Sequence, residues 1–195
     1  MQFAGLRPTC FRVKMTKKEK GRKMKRIAKF HKVSLEQFKK DWIDTFGIEE
    51  DEKIQQIYDA ISLPRRATAG SAGYDFFAPI QIVLNPEETV KIPTGIRVEM
   101  EPEWVLKCYP RSGLGFKYRL QMNNTVGIID SDYFYSDNEG HMFAKITNDT
   151  KEGKIVDIAQ GEGFMQGIFV EYGITIDDDV TEIRNGGLGS TTKKR

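Results

Sequence analysis

The chain has 195 residues, of which 30% are charged and 39% hydrophobic, a composition typical of a soluble globular protein with one main domain. Its net charge of +2 hides a basic run over residues 12–29, so the remainder of the chain is acidic. No apolar run is long enough to cross a bilayer, and residues 1–11 are too short and too interrupted for a secretory signal. The two cysteines lack metal-ligand spacing, which favours a reduced cytoplasmic protein with no membrane partner.

Residues 1–24 are predicted to form a basic, disordered tail, because Lys and Arg dominate there without an apolar period. Such a run can attract nucleic acid or acidic lipid by releasing counterions. It lacks the interleaved aromatic residues of a base-stacking surface, so we do not expect nucleic acid as a partner. A solvated leader, or initiation at Met15 or Met24, would explain the segment equally well.

Residues 25–62 are predicted to form a short strand followed by two helices. Ser34 stands three residues before Gln37, a capping box that starts the first helix, and Gly47 supplies its C-terminal stop. The apolar residues of each helix share one face at helical spacing. We therefore expect the helices to pack on each other and on the main domain, with their aromatic residues in a core rather than in a ligand site.

Residues 63–182 are predicted to form the β-barrel catalytic domain, since short apolar runs alternate there with Gly, Pro and Asn. This spacing indicates an all-β fold, a jelly roll or distorted barrel. The runs that we predict as strands are 80–84, 89–92, 95–98, 104–109, 142–146, 155–158, 164–170 and 174–176. Residues 183–195 are rich in glycine and are predicted to be a flexible C-terminal arm.

Several catalytic constellations are absent from the sequence. The two histidines, His31 and His141, have no cysteine or carboxylate pattern suited to zinc. There is no GxxxxGK[ST] phosphate-binding loop, no dinucleotide fingerprint and no candidate nucleophilic triad. The loop that begins at Asp130 matches a calcium-binding loop only in its first residues. Polar clusters at the ends of strands are what remains.

Two of these clusters suit a phosphate-bearing substrate attacked by water. Arg111 offers charge, Ser112 a hydroxyl donor and Gly113 an unobstructed backbone N–H, a combination that suits phosphate oxygens. Asp130 directly follows an apolar run that contains Gly127. A carboxylate held at the rim of a core can act as a general base on water. Taken alone, however, the Asp130 segment is more often a strand followed by an Asp-rich turn.

Five segments in order resemble the five motifs of the trimeric deoxyuridine triphosphatases, the dUTPases. They are Ser-Ala-Gly-Tyr-Asp at 71–75, Pro-Arg-Ser-Gly at 110–113, Gly-Ile-Ile-Asp-Ser-Asp-Tyr at 127–133, Gly-Glu-Gly-Phe-Met-Gln at 161–166 and Gly-Leu-Gly-Ser-Thr at 187–191. Any one motif is weak evidence, but five in this order are very specific. The resemblance covers residues 63–192, and the two helices resemble a variant form seen in some bacterial and phage members.

The resemblance implies a jelly-roll homotrimer that hydrolyses dUTP to dUMP and pyrophosphate, removing dUTP and supplying dUMP for thymidylate synthesis. In such a site Asp130 activates the water that attacks the α-phosphorus, Asn124 reads the uracil, and Tyr133 stacks under the deoxyribose. Asp75 would act through bound water on Mg²⁺, which sits on the phosphates. The other substrate-binding residues that the resemblance implies are Arg111, Ser112, Gly113, Gly127, Ile129, Phe143, Gln166, Arg184, Gly187, Leu188, Gly189 and Ser190.

The sequence departs from the family pattern in the arm and after Tyr133. Leu188 stands where a Phe usually caps the uracil, Thr192 replaces a Gly, and Arg184 lies one residue nearer the glycine pair than is common. The extra residues 134–139 include Phe134 and Tyr135, either of which could supply the missing lid.

Two alternative functions stay open at this stage. One is a dCTP deaminase-like relative on the same fold, for which a Glu just after the Asp130 strand is lacking. The other is a phage-type homologue whose main work is to bind a protein partner, which the altered arm and the basic tail keep possible.

Overall fold

The computed structural model describes residues 24–182 and 184–186. Residues 1–23 of the predicted basic tail and the arm residues Gly187, Leu188, Gly189 and Ser190 lie outside the described residues. The helices are α1 (Leu35–Phe46), α2 (Asp51–Ala60) and α3 (Ser112–Tyr118), and a 3-10 helix covers Ser131–Tyr135. The strands are β1 (Ala28–Lys32), β2 (Tyr74–Phe77), β3 (Ile82–Leu84), β4 (Thr89–Pro93), β5 (Ile96–Met100), β6 (Trp104–Pro110), β7 (Leu120–Met122), β8 (Gly127–Ile129), β9 (Phe143–Asn148), β10 (Val156–Ile158) and β11 (Gly163–Glu171).

The strands form antiparallel sheets that enclose one main core. The largest sheet has the order β2-β11-β6-β8, and a three-stranded sheet has the order β4-β9-β7. Strand β1 pairs with β5, and β10 pairs with β3. Along β5, Ile96, Val98 and Met100 are buried while the residues between them point outward, the alternation of a strand with one face on a core. The predicted all-β, jelly-roll fold is confirmed.

The two N-terminal helices bury a second, smaller core beside the first. Its buried residues come from both helices and from the segment before them: Val33, Phe38, Trp42, Ile54 and Ile57. Ile61 packs against both cores and joins them. Helix α1 also lies against β4, so the helices rest on the β domain as predicted.

The capping of α1 is only half as predicted. Ser34 Oγ accepts the backbone N–H of Gln37 at 3.1 Å, and Gly47 ends the helix with a φ of 63°. The Gln37 side chain does not return to the Ser34 N–H, because it donates to Asp41 Oδ2 at 2.8 Å. Glu139, from a distant loop, accepts that N–H instead at 2.7 Å, and its charge makes it the stronger acceptor.

Further differences separate the prediction from the structure, beginning with strands β2 and β7, which are not among the predicted runs. The predicted strand at 174–176 does not form: Ile174 and Ile176 are exposed and pair with no strand in the described part of the chain. The segment beginning at Ser112, for which we predicted phosphate binding but no secondary structure, is helix α3. Its two glycines lower helix propensity and concealed it. None of the described helices has the length and apolar character needed to span a membrane.

Candidate active site

The turn between β7 and β8 presents Asn124 beside an uncovered stretch of backbone. Asn124 is exposed, and the next residue, Thr125, adopts the left-handed conformation with a φ of 64°. A Cβ at Gly127 would lie 3.1 Å from the Cβ of Cys108 on β6, so glycine lets β8 approach β6 closely. The half-buried Ile129 ends β8. The hairpin therefore offers an amide side chain and, among the described strands, an unpaired strand edge, both of which can hydrogen-bond the polar edge of a flat ring.

Asp130 lies between β8 and the 3-10 helix, at the rim of the core, as the sequence predicted. Its side chain is 46% exposed and is held from the other side by an arginine. Arg184 Nη2 lies 2.7 Å from Asp130 Oδ2, and Arg184 Nε lies 3.1 Å from Asp132 Oδ1. Within one chain, Arg184, near the start of the arm, thus forms an ion pair with the carboxylate that is the candidate base.

Tyr133 is buried, and its ring is fixed at the hydroxyl end. The hydroxyl donates to the backbone oxygen of His141 at 2.7 Å and accepts from Asn138 Nδ2 at 2.9 Å. Burial raises the pKa of the Tyr133 hydroxyl, so it stays a neutral donor. The backbone behind the ring is equally constrained, because a Cβ at Gly140 would lie 2.7 Å from the carbonyl oxygen of Tyr133. The side chain is therefore a rigid wall.

Phe143 and the two aromatic lid candidates lie around this wall. The half-buried ring of Phe143 is 4.7 Å from the ring of His141, and Lys91 Nζ lies 4.6 Å from its centroid. Phe134 is covered by the Arg97 guanidinium at 3.7 Å. Tyr135 is 74% exposed. Of the two lid candidates, Tyr135 is the one whose ring is presented to solvent.

A second polar cluster lies where β2 and β11 meet the end of β6. Asp75 on β2 pairs in register with Gln166 on β11, and Arg111 Nε lies 3.3 Å from Asp75 Oδ1. A Cβ at Gly73 would lie 2.6 Å from Gln166 Oε1, so the glycine makes room for that amide. Gln166 Nε2 donates to the backbone oxygen of Pro110 at 3.4 Å.

Beside this cluster is an open cavity of about 460 Å³. Its lining includes Arg111, Ser112, Gly113 and Lys117 together with the acids Asp157 and Glu162. Arg111, Ser112 and Gly113 are exposed, and a guanidinium, a hydroxyl and a backbone N–H on one rim can bind the oxygens of a phosphate chain. The predicted phosphate-binding residues are thus brought together.

The two clusters are separated by the width of the largest sheet. Asp75, Gln166 and Tyr109 share one row across β2, β11 and β6, whereas Asp130 follows Ile129, which pairs with Leu106. Asp130 therefore lies three strands and four residues away from Asp75. With strands about 4.8 Å apart and a rise of about 3.4 Å per residue, the separation is about 20 Å. A single chain therefore does not place Asp130, the candidate base, against its own candidate phosphate-binding residues.

The described residues contain no group of three or more His, Cys, Asp or Glu side chains arranged to hold a metal ion. Asp75 is a single carboxylate already paired with Arg111. A hard cation such as Mg²⁺ prefers six oxygen ligands and keeps several waters. These residues therefore fit a metal that is bound mainly by phosphate oxygens and water, with Asp75 outside its first ligands.

Sequence reasoning missed the residues that hold Tyr133. Asn138 and His141 anchor its hydroxyl, and His141 was considered only as a zinc ligand. Asp41, from helix α1, contacts the His141 ring at 2.5 Å across a hundred positions of sequence. No local pattern reveals such a pair. The polar run Asn-Glu-Gly-His at 138–141, between the candidate motif and a strand, was the available signal.

Comparisons with known proteins point to one family. The dUTPase family model matches residues 59–192. The deoxyuridine 5'-triphosphate nucleotidohydrolase of Lactococcus lactis is 40% identical over 134 residues, which are 67% of this chain and 88% of that protein. The protein of the same name from Escherichia coli K12 is 34% identical over 140 residues, 68% of this chain and 88% of its own.

Solved structures agree with the sequence comparisons. The dUTPase from Streptococcus mutans is 37% identical, with a TM-score of 0.52, and the match covers 60% of this chain and 89% of that one. A dUTPase from phage phi11 of Staphylococcus aureus is 24% identical, with a TM-score of 0.51 over 64% of this chain and 92% of its own. At that identity the phage protein supports the fold alone.

Proposed function

The chain belongs to the dUTPase family and is a dUTP diphosphatase, and from that identity we propose that Asp130 activates the water that cleaves its substrate. The observation that carries this proposal is one hairpin and its extension, which hold an exposed Asn124, a half-exposed Asp130 and a buried Tyr133 in succession. The Asn124 amide suits the uracil ring, the Asp130 carboxylate suits the reacting phosphate, and the rigid Tyr133 ring suits the sugar. Among the described residues the one cysteine, Cys108, is buried, and no group of three or more His, Cys, Asp or Glu side chains is arranged to hold a metal ion.

In the proposed step, Asp130 removes a proton from a water whose oxygen attacks the α-phosphorus. The bond from that phosphorus to the bridging oxygen breaks, pyrophosphate leaves with the electron pair, and dUMP remains. Because Asp130 is fixed by β8 on one side and by the 3-10 helix on the other, the water is oriented before it reacts. Arg184 must leave Asp130 for this step, since the ion pair occupies the carboxylate.

Recognition of uracil is assigned to Asn124 and to the backbone of β8 at Gly127 and Ile129. An amide side chain offers both a donor and an acceptor, as the edge of uracil does. Tyr133 lies against the deoxyribose and leaves no space for a 2′-hydroxyl, and Phe143 closes the adjoining side. The rigidity of the Tyr133 ring supports this role, because a wall that cannot yield rejects a larger sugar.

Phosphate binding is assigned to Arg111, Ser112, Gly113 and Gln166, and these residues act in the site of a neighbouring subunit. Within one chain they lie about 20 Å from Asp130, whereas reacting atoms must approach to about 3.5 Å. A homotrimer with three shared sites supplies the missing halves. Each site then takes the hairpin that binds uracil from one subunit and the residues that bind phosphate from another.

The arm completes the proposed site. Arg184 transfers from Asp130 to the phosphates, and Gly187, Leu188, Gly189 and Ser190 close over a bound nucleotide and exclude water. Mg²⁺ on the triphosphate would offset its negative charge, and Asp75 would act on it through bound water. We place this reaction in the cytoplasm, where the enzyme removes dUTP and supplies dUMP.

The test is pyrophosphate release from dUTP, dCTP and UTP, with Asp130→Asn as the catalytic variant and Asp132→Asn as the matched control. Both acids are paired with Arg184 in the structure, but only Asp130 is the proposed base. We expect rapid turnover of dUTP alone, and a loss of about 10²–10⁴-fold in kcat for Asp130→Asn, the usual contribution of a general base. Equal losses in the two variants would refute the role of Asp130, and ammonia release from dCTP would favour a deaminase.

A further inference from the structure

The helices α1 and α2 are an addition to the part of the chain that the family shares. The family match begins at residue 59, after nearly all of both helices. In the Lactococcus lactis relative, the 134 matched residues are 88% of the protein, which leaves fewer than about twenty residues outside the match. That length cannot hold a strand and two helices of twelve and ten residues. The contacts of these helices therefore show what this chain gains from them.

Helix α1 reaches the Tyr133 loop through Asp41 and His141. The His141 side chain is fully buried, and its Nδ1 lies 2.5 Å from Asp41 Oδ2. Its Nε2 accepts the backbone N–H of Gly95 at 2.8 Å. Since Nε2 is an acceptor, the ring proton lies on Nδ1 and is donated to the carboxylate. Both ring nitrogens are thus satisfied, and the orientation of the ring is fixed.

His141 in turn contacts both aromatic residues of the proposed nucleotide site. Its backbone oxygen accepts the Tyr133 hydroxyl at 2.7 Å, and its ring centroid lies 4.7 Å from that of Phe143. A turn of the Asp41 side chain, or a shift of α1, moves His141, whose ring packs against Phe143 and whose backbone oxygen holds the Tyr133 hydroxyl. The path from α1 to Tyr133 therefore consists of the Asp41–His141 hydrogen bond, His141 itself and the hydrogen bond from the Tyr133 hydroxyl to His141.

A second anchor ties the same loop to the start of α1. Glu139 accepts from Ser34 N at 2.7 Å and from Ser34 Oγ at 2.6 Å. Arg97 lies 3.7 Å from the Glu139 carboxylate and donates to the backbone oxygen of Phe134 at 2.6 Å. The loop from residue 134 to residue 141 is therefore held to the helix at both Glu139 and His141.

We propose that Asp41 and His141 are positioning residues, through which the added helical pair sets Tyr133 and Phe143 for recognition of deoxyribose. This inference rests on the proposed function for the identity of the ligand, but its geometry does not depend on the reaction. Asp41 orients His141, and His141 holds the Tyr133 hydroxyl and the face of Phe143. Removing the Asp41 carboxylate leaves a buried N–H without an acceptor, so the ring and the loop shift toward a new partner.

The test compares Asp41→Ala with Asp41→Asn, whose side-chain oxygen can still accept from His141 Nδ1. Ile54→Val is the control for a merely structural effect, because Ile54 is fully buried in the same helical core but distant in sequence from the hydrogen-bonded path. Glu36→Ala removes an exposed carboxylate from the same helix. The readouts are kcat and KM for dUTP and for UTP, and hydrogen exchange of the peptide covering residues 131–143.

We expect Asp41→Ala to raise KM for dUTP by about tenfold and to narrow the preference for dUTP over UTP, as a misplaced wall would. Exchange of peptide 131–143 should rise in this variant, while Asp41→Asn should stay within about threefold of the unmodified enzyme in KM. Ile54→Val and Glu36→Ala should leave the dUTP/UTP ratio unchanged. If Asp41→Ala does not fold, Glu139→Ala removes the second anchor and is measured by the same readouts.

The inference is overturned if Asp41→Ala behaves like Ile54→Val in nucleotide preference and in the exchange of residues 131–143. That result would leave the proposed function standing, provided that the unmodified enzyme turns over dUTP and Asp130→Asn does not. If the unmodified enzyme fails to hydrolyse dUTP, the proposed function is wrong, and the exchange measurement alone decides whether Asp41 holds the loop.

Discussion

Gly140 gives the sharpest test of how the Tyr133 wall is built. Its φ is 70°, and a Cβ there would lie 2.7 Å from the carbonyl oxygen of Tyr133 and 2.8 Å from the Cα of Phe134. Both atoms belong to the backbone, so no side chain can rotate out of the way. An alanine at this position must push the 133–134 backbone outward by about 0.7 Å to reach ordinary contact distance.

Gly153 offers a matched control. Its φ of 69° is nearly the same, but a Cβ there would meet nothing within 4 Å. Gly153→Ala therefore carries only the conformational penalty of about 1–2 kcal/mol. Gly140→Ala carries that penalty and the backbone clash, which adds about 1–3 kcal/mol by analogy with overpacked cores.

The assay is thermal unfolding together with steady-state kinetics on dUTP. Gly140→Ala should unfold several degrees below Gly153→Ala, since about 1 kcal/mol shifts Tm by about 2–4 °C in a chain of this size. Its kcat/KM should fall by about 10–100-fold, because sub-ångström to ångström displacements of a binding wall have effects of that order. If both variants lose the same stability and neither loses kcat/KM, the account of a rigid Tyr133 wall is wrong.

Two further predictions concern charged contacts at the site. Arg184→Ala should lower kcat/KM for dUTP by about tenfold. It should change the free energy of unfolding by less than about 1 kcal/mol, because the Asp130 carboxylate that Arg184 pairs with is half exposed. Arg184→Lys is the control, and unchanged kinetics for the alanine variant would contradict the role of Arg184 in binding substrate. Burial raises the pKa of Glu139, but hydrogen bonds from Ser34 and the charge of Arg97 outweigh it and leave that pKa lowered. Because the folded-state pKa is lowered, the Glu139 carboxylate stabilises the protein above the ordinary Glu pKa of about 4.3, and this stabilisation is lost as the pH falls through the folded-state pKa. Tm should therefore drop less between pH 7 and pH 4 in Glu139→Gln than in the unmodified protein. Equal drops in Tm would show that the contact contributes nothing.

Local patterns predicted most of the fold because they report on burial along one element at a time. The alternation in β5 and the one-sided apolar face of α1 follow directly from the sheet and the helix they form. The strand predicted at 174–176 failed because a strand needs a partner, and none of the described strands lies along it. Helix α3 was missed because its two glycines lower helix propensity, and they lie in the segment that we propose binds phosphate.

Parts of the site that lie close together in sequence were predicted, and contacts between distant segments were not. Asn124, Asp130 and Tyr133 lie within ten positions of one another, and their motif can be read from the chain. Asp41 and His141 meet only because two helices fold back on the domain, a contact that no local pattern encodes. The identity of Glu139 as the partner of Ser34 was hidden for the same reason, and Gln37 occupied its place in the prediction.

The central claim is that Asp130 of one subunit acts on phosphates held by Arg111 and Ser112 of another. It is tested most directly by mixing subunits of Asp130→Asn with subunits of Arg111→Ala/Ser112→Ala, each inactive alone, under conditions that allow exchange. With equal, random mixing, about a quarter of the sites pair an intact Asp130 with an intact phosphate cluster, so dUTP turnover should recover to about a quarter of the unmodified value. A mixture that exchanges subunits and stays as inactive as its components would contradict the claim.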